Sequence, residues 1–272
     1  MKIKVAGFDT YLYNGGKHPT PGDIPGQPVV VFVHGAEQDH SCWTLQSRWF
    51  GHHGFSVLAP DLPGHGQSEG APLPSIEAIA DWIATLLDTF GVERAHIVGH
   101  SMGSLVSAEF VLRHPQRAAS VALVGISLPM PVAPALLEAA RDDEPRARAM
   151  VNNWSYSPGG QIGGNRVPGL WMLGINERLM ARQKPGVFHN DLAACNDWRR
   201  EPASLGAISV PALVVIGDQD KMTSPKAGRA AHAAIPGARL AVIAGSGHAL
   251  MAECPDEVLD ALRDFIVKPV SV

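Results

Sequence analysis

The sequence predicts an α/β fold: a mostly parallel central sheet flanked by helices, interrupted by a helical cap insertion. Three observations carry this. Six short apolar, β-branched runs recur along the chain, bounded by Gly or Pro, as expected of strands covered on both faces. Segments with apolar residues at three- and four-residue steps separate them, the period of helices packed on one side. Between residues 129 and 205 the alternation stops and no strand-like run occurs.

The elements follow in chain order. Residues 1–14 alternate polar and apolar and read as an edge hairpin. VVVFVHG (29–35) and FSVLAPD (55–61) are the first buried runs. Ile76, Ile79, Ala80, Ile83, Leu86, Leu87 and Phe90 then mark a helix, with Ser75 as N-cap and Gly91 as its stop. RAHIVGH (94–100) is a strand, Met102 to His114 a helix ended by Pro115, and SVALVGI (120–126) another strand. Beyond the insertion come PALVVIGD (211–218), RLAVIAG (239–245) and an amphipathic helix from Asp256 to Ile266 after Pro255. The predicted organisation is a core of residues 1–128 and 206–272 carrying a helical lid of residues 129–205. Insertions of this length in α/β proteins are usually functional.

Composition narrows the functional classes. With 46% hydrophobic and 18% charged residues the chain is globular. A net charge of −4 leaves no basic footprint for nucleic acid and no polybasic patch for membrane. Cys42, Cys195 and Cys254 are odd in number and scattered, which fits reduced thiols better than disulfides or zinc. The polar, alternating N-terminus has no signal-peptide pattern and no apolar run reaches the length of a membrane span. A cytoplasmic location is therefore expected. No histidine pair or carboxylate cluster has metal-ligand spacing, so neither metal nor organic cofactor is expected.

The chemistry centres on Gly99-His100-Ser101-Met102-Gly103. With 17 Ser and 28 Gly in 272 residues, chance supplies about 0.2 such pentads, so context must decide. Here a buried strand runs into the motif and a helix runs out, which demands a sharp turn exposing the serine hydroxyl. Glycines at 99 and 103 let strand and helix approach, and the helix directs its positive end at the same spot. A serine nucleophile needs a base. Among twelve histidines, His248 in AGSGHALMAE follows the last strand with small neighbours. His34 and His100 sit at strand ends and are read as pinning turns. Asp218 and Asp220, in VVIGDQDKMTSP, both could orient the base. The N–H of Met102, following the nucleophile, is one oxyanion donor.

The order Ser101, Asp, His248 and this strand–turn–helix context resemble the α/β-hydrolase superfamily, over residues 29 to 250. The resemblance implies that the acid lies three residues after Gly217, at Asp220, leaving Asp218 a loop role. It puts the second oxyanion donor at Ala36, in the loop after the His34-Gly35 turn. Asp61, Gly64, Gly66 and Ser68 also match a recurrent family loop, read as structural.

Within that superfamily Ser101 argues against haloalkane dehalogenases and epoxide hydrolases, which place Asp there. His34-Gly35-Ala36-Glu37 differs from the His-Gly-Gly-Gly loop of many lipases and from the glycine-rich loop usual in ring-fission C–C hydrolases. A cap of this size is not usual in cofactor-free haloperoxidases. The expectation is an esterase-like serine hydrolase acting on a small-molecule ester, lactone or thioester. A C–C hydrolase and a receptor-like ligand binder on the same fold are the alternatives. Cyanohydrin lyase chemistry would need positive charge at the pocket, and Arg178, Arg182 and Lys184 read as a solvated helix face. In the lid, Trp154, Trp171, Met172 and Phe188 are the expected substrate-contacting residues, with Tyr156, Met180, His189 and Asn190 as further candidates.

Overall fold

The computed structural model describes residues 1–17, 24, 26–164 and 169–267. An antiparallel hairpin, β1 (Lys2–Val5) and β2 (Phe8–Tyr13), starts the chain. It is followed by β3 (Val29–Val33), α1 (Thr44–His52), β4 (Ser56–Pro60), α2 (Ile76–Thr89), β5 (Ala95–His100), α3 (Met102–Arg113) and β6 (Ala118–Val124). Five helices come next: α4 (Pro134–Asp142), α5 (Glu144–Ser155), α6 (Pro158–Gln161), α7 (Met172–Ala181) and α8 (Val187–Asp197). The chain then returns through β7 (Ala212–Gly217), α9 (Pro225–Ala234), β8 (Arg239–Ile243), α10 (Leu250–Glu253) and α11 (Pro255–Ile266).

The eight strands form one sheet in the order β1-β2-β4-β3-β5-β6-β7-β8. From β4 to β8 every pairing is parallel; the hairpin joins antiparallel through β2 and β4. Parallel strands need helices on both faces, and two apolar clusters lie accordingly on either side of the sheet. Alternate residues of β3 separate between them, Val31 and Val33 into one and Val30 and Phe32 into the other. Each such buried side chain contributes about 1.5–3 kcal/mol relative to exposure.

Helix α2 begins where Ser75 accepts a hydrogen bond from the Ala78 N–H at 3.2 Å, and Gly91 follows it at φ +66°. The run at 239–245 departs from the two-sided burial read from its sequence. β8 stops at Ile243, and Val242 is 41% exposed, because this strand is the free edge of the sheet.

The five helices between β6 and β7 carry a small apolar cluster of their own, including Leu136, Ala139, Met180, Phe188 and Leu192, with Trp154 packed against it. Residues 165–168, within the Gly-rich part of this insertion, lie outside the described residues. The insertion meets the core through apolar contacts, with Ala194, Cys195 and Trp198 buried in one of the two core clusters, and through polar ones. Lys184 Nζ donates to the Ser68 carbonyl (2.8 Å), Asn190 Nδ2 to the Leu73 carbonyl (2.9 Å), and the Gly66 N–H to Gln183 Oε1 (2.7 Å). Arg182 pairs with Asp39. Lys184 and Arg182 therefore are not the free solvated face that their spacing suggested; each reaches across to a core loop. Among the described residues no helix is long and apolar enough to cross a membrane.

Candidate active site

Ser101 stands between β5 and α3 at φ +54°, ψ −119°, a backbone conformation that side chains rarely adopt. The neighbouring glycines explain how it is held. A Cβ on Gly99 would fall 1.9 Å from the Gly103 carbonyl oxygen, and one on Gly103 would fall 2.3 Å from that of Val33. Neither can carry a side chain while strand and helix are this close. The Ser101 N–H donates to the Val124 carbonyl at 2.9 Å, fixing the turn to the adjacent strand. Its Oγ makes no hydrogen bond among the described residues.

His248 lies in the loop after β8 and is 4% exposed. Its Nδ1 is 2.8 Å from Asp220 Oδ2 and 3.1 Å from Thr223 Oγ1. A carboxylate only accepts, so Nδ1 carries the proton and Nε2 is left with a lone pair. Asp220 is itself secured: Oδ1 accepts from the N–H groups of Met222 and Thr223, both at 2.8 Å, and Oδ2 from the Thr223 hydroxyl at 2.7 Å. Burial alone would raise the Asp220 carboxyl. The His248 imidazole and the Thr223 hydrogen bonds outweigh it and hold the carboxyl below its ordinary value. Asp218 is elsewhere, accepting from the Gly245 N–H at 2.7 Å and closing the loop that leads to His248.

The His248 backbone is tied from three sides. Its N–H donates to the Ser155 carbonyl at 2.7 Å, and its own carbonyl accepts from His100 Nε2 at 2.8 Å. Glu253 takes the Gly247 N–H at 2.7 Å and the Ser157 N–H at 2.9 Å. Thr223, Ser155 and Glu253 carry no motif signal, so the sequence does not reveal these supports, and His100, expected to pin a turn, holds the His248 loop. His34 pins the neighbouring loop: its Nε2 accepts from the Leu62 N–H at 3.1 Å and its Nδ1 donates to the Gly35 carbonyl at 2.8 Å. Burial, aided by nearby His65, holds that ring neutral with a pKa of about 4.

The N–H groups of Ala36 and Met102 find no acceptor among the described residues. Glu37, next to Ala36, faces away: its Oε1 accepts two hydrogen bonds from Arg148 of the insertion, at 2.9 and 2.7 Å.

Two adjoining cavities serve the site. The smaller, about 50 Å³, is lined by Gly35, Ala36, Ser101, Phe188, Met222 and His248, among others. The larger, about 460 Å³, runs between Leu45, Tyr156, Met172, Ile175, Leu179 and Met251. Met172 and Phe188 thus border cavities. Trp154 and Trp171 do not: Trp154 packs against the insertion's own apolar cluster, and Trp171 is 69% exposed beside Gly174. Tyr156 and Met180 are lining residues.

Asp39, His40 and Asp61 bring potential metal-ligand atoms within 4.8 Å of one another. Their lone pairs are committed internally. His40 donates to Asp61 Oδ1 from both backbone N–H (3.0 Å) and Nδ1 (2.6 Å), and Ser41 and Arg182 occupy Asp39. The cluster anchors the Asp61–Ser68 loop.

Comparison with known proteins places these features in context. A family model for the alpha/beta hydrolase fold matches residues 28–255. A 2-hydroxy-6-oxononadienedioate/2-hydroxy-6-oxononatrienedioate hydrolase from Pseudomonas putida is 28% identical over 261 residues, covering 89% of this chain and 88% of the relative. A pimeloyl-acyl-carrier-protein methyl ester esterase from Neisseria meningitidis is 28% identical over 229 residues, covering 77% of this chain and 82% of the relative. The crystal structure of the enol-lactonase from Burkholderia xenovorans LB400 superposes with a TM-score of 0.85 at 24% identity, covering 98% of this chain and 100% of the other.

Proposed function

This chain belongs to the α/β-hydrolase fold family, and from that membership we propose that it is a serine hydrolase that cleaves a carboxylic ester or lactone through an acyl-enzyme. The observation that carries the proposal is the convergence on one cavity of Ser101, held at φ +54°, and His248, whose Nδ1 is 2.8 Å from Asp220.

In this reading Ser101 Oγ attacks the scissile carbonyl while His248 Nε2 takes its proton. Asp220 holds the tautomer and steadies the imidazolium. The oxyanion forms against the N–H groups of Ala36 and Met102, which are fixed before the charge develops. Collapse expels the alkoxide, which takes the proton from His248. A water deprotonated by the same imidazole then releases the acid and restores Ser101. The chemistry needs neither metal nor organic cofactor. Residues 129–205 act as a cap whose Met172 and Phe188 shape the substrate space.

Hydrolysis of p-nitrophenyl esters from acetate to octanoate by wild type and Ser101→Ala tests this. Turnover lost in the variant is expected. Equal turnover in both proteins would overturn the reading. A second reading, hydrolysis of a C–C bond in a ring-fission product, is favoured by the 28% identity to the Pseudomonas putida hydrolase. It uses the same three side chains and is distinguished by probe labelling of Ser101 without ester turnover.

A further inference from the structure

Two buried hydrogen-bond acceptors meet beside Ser101 at the junction of the two cavities. The first is His100 Nδ1. His100 is 3% exposed, and its Nε2 donates to the His248 carbonyl at 2.8 Å. A carbonyl oxygen only accepts, so the proton is on Nε2 and Nδ1 is a bare lone pair. Burial, with the neighbouring His248 imidazole, lowers the ring's pKa to about 3, so it stays neutral. Nδ1 is buried and has no partner among the described residues.

The second is Gln38 Oε1, also buried and unpartnered among the described residues. The orientation of this amide follows from a relay that ends on a carboxylate. Glu177 Oε2 accepts from Asn152 Nδ2 at 2.8 Å, which turns Asn152 Oδ1 toward Asn176. Asn176 Nδ2 donates to that oxygen at 2.8 Å, so Asn176 Oδ1 is the atom that accepts from Gln38 Nε2, at 3.4 Å. The Gln38 atom left over is the oxygen.

The two acceptors converge. The position that a Cβ on Gly35 would take lies 3.3 Å from Gln38 Oε1, 3.3 Å from His100 Nδ1 and 3.4 Å from Ser101 Cβ. Gln38 and His100 line both cavities, and Ser101 lines the smaller. Folded proteins rarely leave buried polar atoms unpaired, because each forfeits its hydration without compensation. Here two of the same kind are left beside a candidate nucleophile.

We propose that Gln38 Oε1 and His100 Nδ1 form a subsite for a hydrogen-bond donor, so that the substrate is an ester or lactone bearing a hydroxyl or amide N–H close to the scissile carbonyl. The proposal rests on the serine-hydrolase reading of Ser101. Both groups are neutral acceptors, so a carboxylate at that position is repelled and an ether has no proton to offer. The larger cavity, with Leu45, Met172, Ile175, Leu179 and Met251 on its walls, takes an apolar arm of the same molecule.

The test compares kcat/KM for ethyl 2-hydroxybutanoate, ethyl 2-methoxybutanoate and ethyl butanoate. A site built for a donor rejects analogues lacking it, so the hydroxy ester is expected to exceed the methoxy ester by about 100-fold or more. Gln38→Leu is expected to bring that ratio below about tenfold, since one of the two acceptors is gone. A second readout needs neither turnover nor a substitution at Gln38. In Ser101→Ala protein with ¹⁵N-labelled histidine, the hydroxy ester is expected to move the His100 Nδ1 resonance and the methoxy ester to leave it in place. A hydroxy-to-methoxy ratio near 1 in the wild type, or an unmoved Nδ1 resonance at saturating hydroxy ester, overturns the subsite even if ester turnover still depends on Ser101. A moved resonance with no Ser101-dependent turnover of any ester would keep the subsite and overturn the hydrolase reading instead.

Discussion

Arg148, on α5 of the insertion, donates from two guanidinium nitrogens to a single oxygen of Glu37, in the loop that follows β3. The partners are 111 residues apart and nearly solvent-free, and the other oxygen, Glu37 Oε2, is buried without a partner among the described residues. Burial pushes the Glu37 carboxyl up to about 7 even though Arg148 pulls it down. The pair thus ties the helical insertion to the loop after β3.

Breaking one side of such a pair leaves a charge or carboxyl stranded. Arg148→Met is expected to lower unfolding stability by about 3–5 kcal/mol in urea titrations, whereas Glu37→Gln with Arg148→Met recovers most of the loss. A double variant no more stable than the single one would show that packing, not charge pairing, sets the contribution.

The turn at Ser101 leaves no room at Gly99. Gly99→Ala forces a Cβ against the Gly103 carbonyl, where 1.9 Å is available. Stability is expected to fall by about 3 kcal/mol or more, with turnover lost even in protein that remains folded. An Ala variant of wild-type stability and activity would mean that strand and helix separate easily.

Asp220 fixes which nitrogen of His248 carries the proton. Asp220→Asn is expected to reduce kcat by about 10⁴ with KM little changed, as for an orienting carboxylate in a serine triad. Thr223→Val, which removes one hydrogen bond to that carboxylate, is expected to cost about tenfold. Comparable kcat for Asp220→Asn and wild type would assign the role to another group.

Acid sensitivity follows from two buried histidines, His34 and His100, and the partly buried His96. Burial depresses His34 to about 4, His96 to about 4 and His100 to about 3, against 6.5 in an unfolded chain. Below pH 6.5 the unfolded state therefore binds protons that the folded state refuses, so stability present above 6.5 is lost as pH falls toward 4. Glu37 acts oppositely, keeping its proton up to about 7 when folded and losing it from 4.5 when unfolded. Three groups against one leave roughly two protons taken up on unfolding between pH 4.5 and 6.5. His65 adds nothing there: burial lowers it, Asp191 raises it further, and its net upward shift removes stability only above 6.5. The thermal midpoint is expected to drop from pH 6.5 to 4.5, and less steeply in His96→Gln. A midpoint that rises on acidification would contradict the assignment.

Much of this was legible because some residues have few physical alternatives. VVVFV must be buried on both faces, and Gly99-x-Ser101-x-Gly103 between a strand and a helix needs a turn too tight for side chains. The choice between Asp218 and Asp220 came from a family spacing, and the geometry sets Asp220 against His248 while Asp218 closes a loop. The rest depended on contacts distant in sequence. Nothing around Arg148 announces Glu37, and nothing around His100 announces the His248 carbonyl. Trp154 and Trp171 are large and apolar, properties that do not distinguish a pocket wall from packing within the insertion, as for Trp154, or from an exposed surface, as for Trp171.

The central claim is that Ser101 is a nucleophile activated by His248, and covalent labelling tests it most directly. The protein would be treated with a fluorophosphonate and the adduct located by peptide mass spectrometry in wild type, Ser101→Ala and His248→Gln. The account predicts one adduct, on Ser101, absent from the alanine variant and strongly slowed in His248→Gln. Failure of folded wild-type protein to label, or labelling that persists in Ser101→Ala, would contradict it.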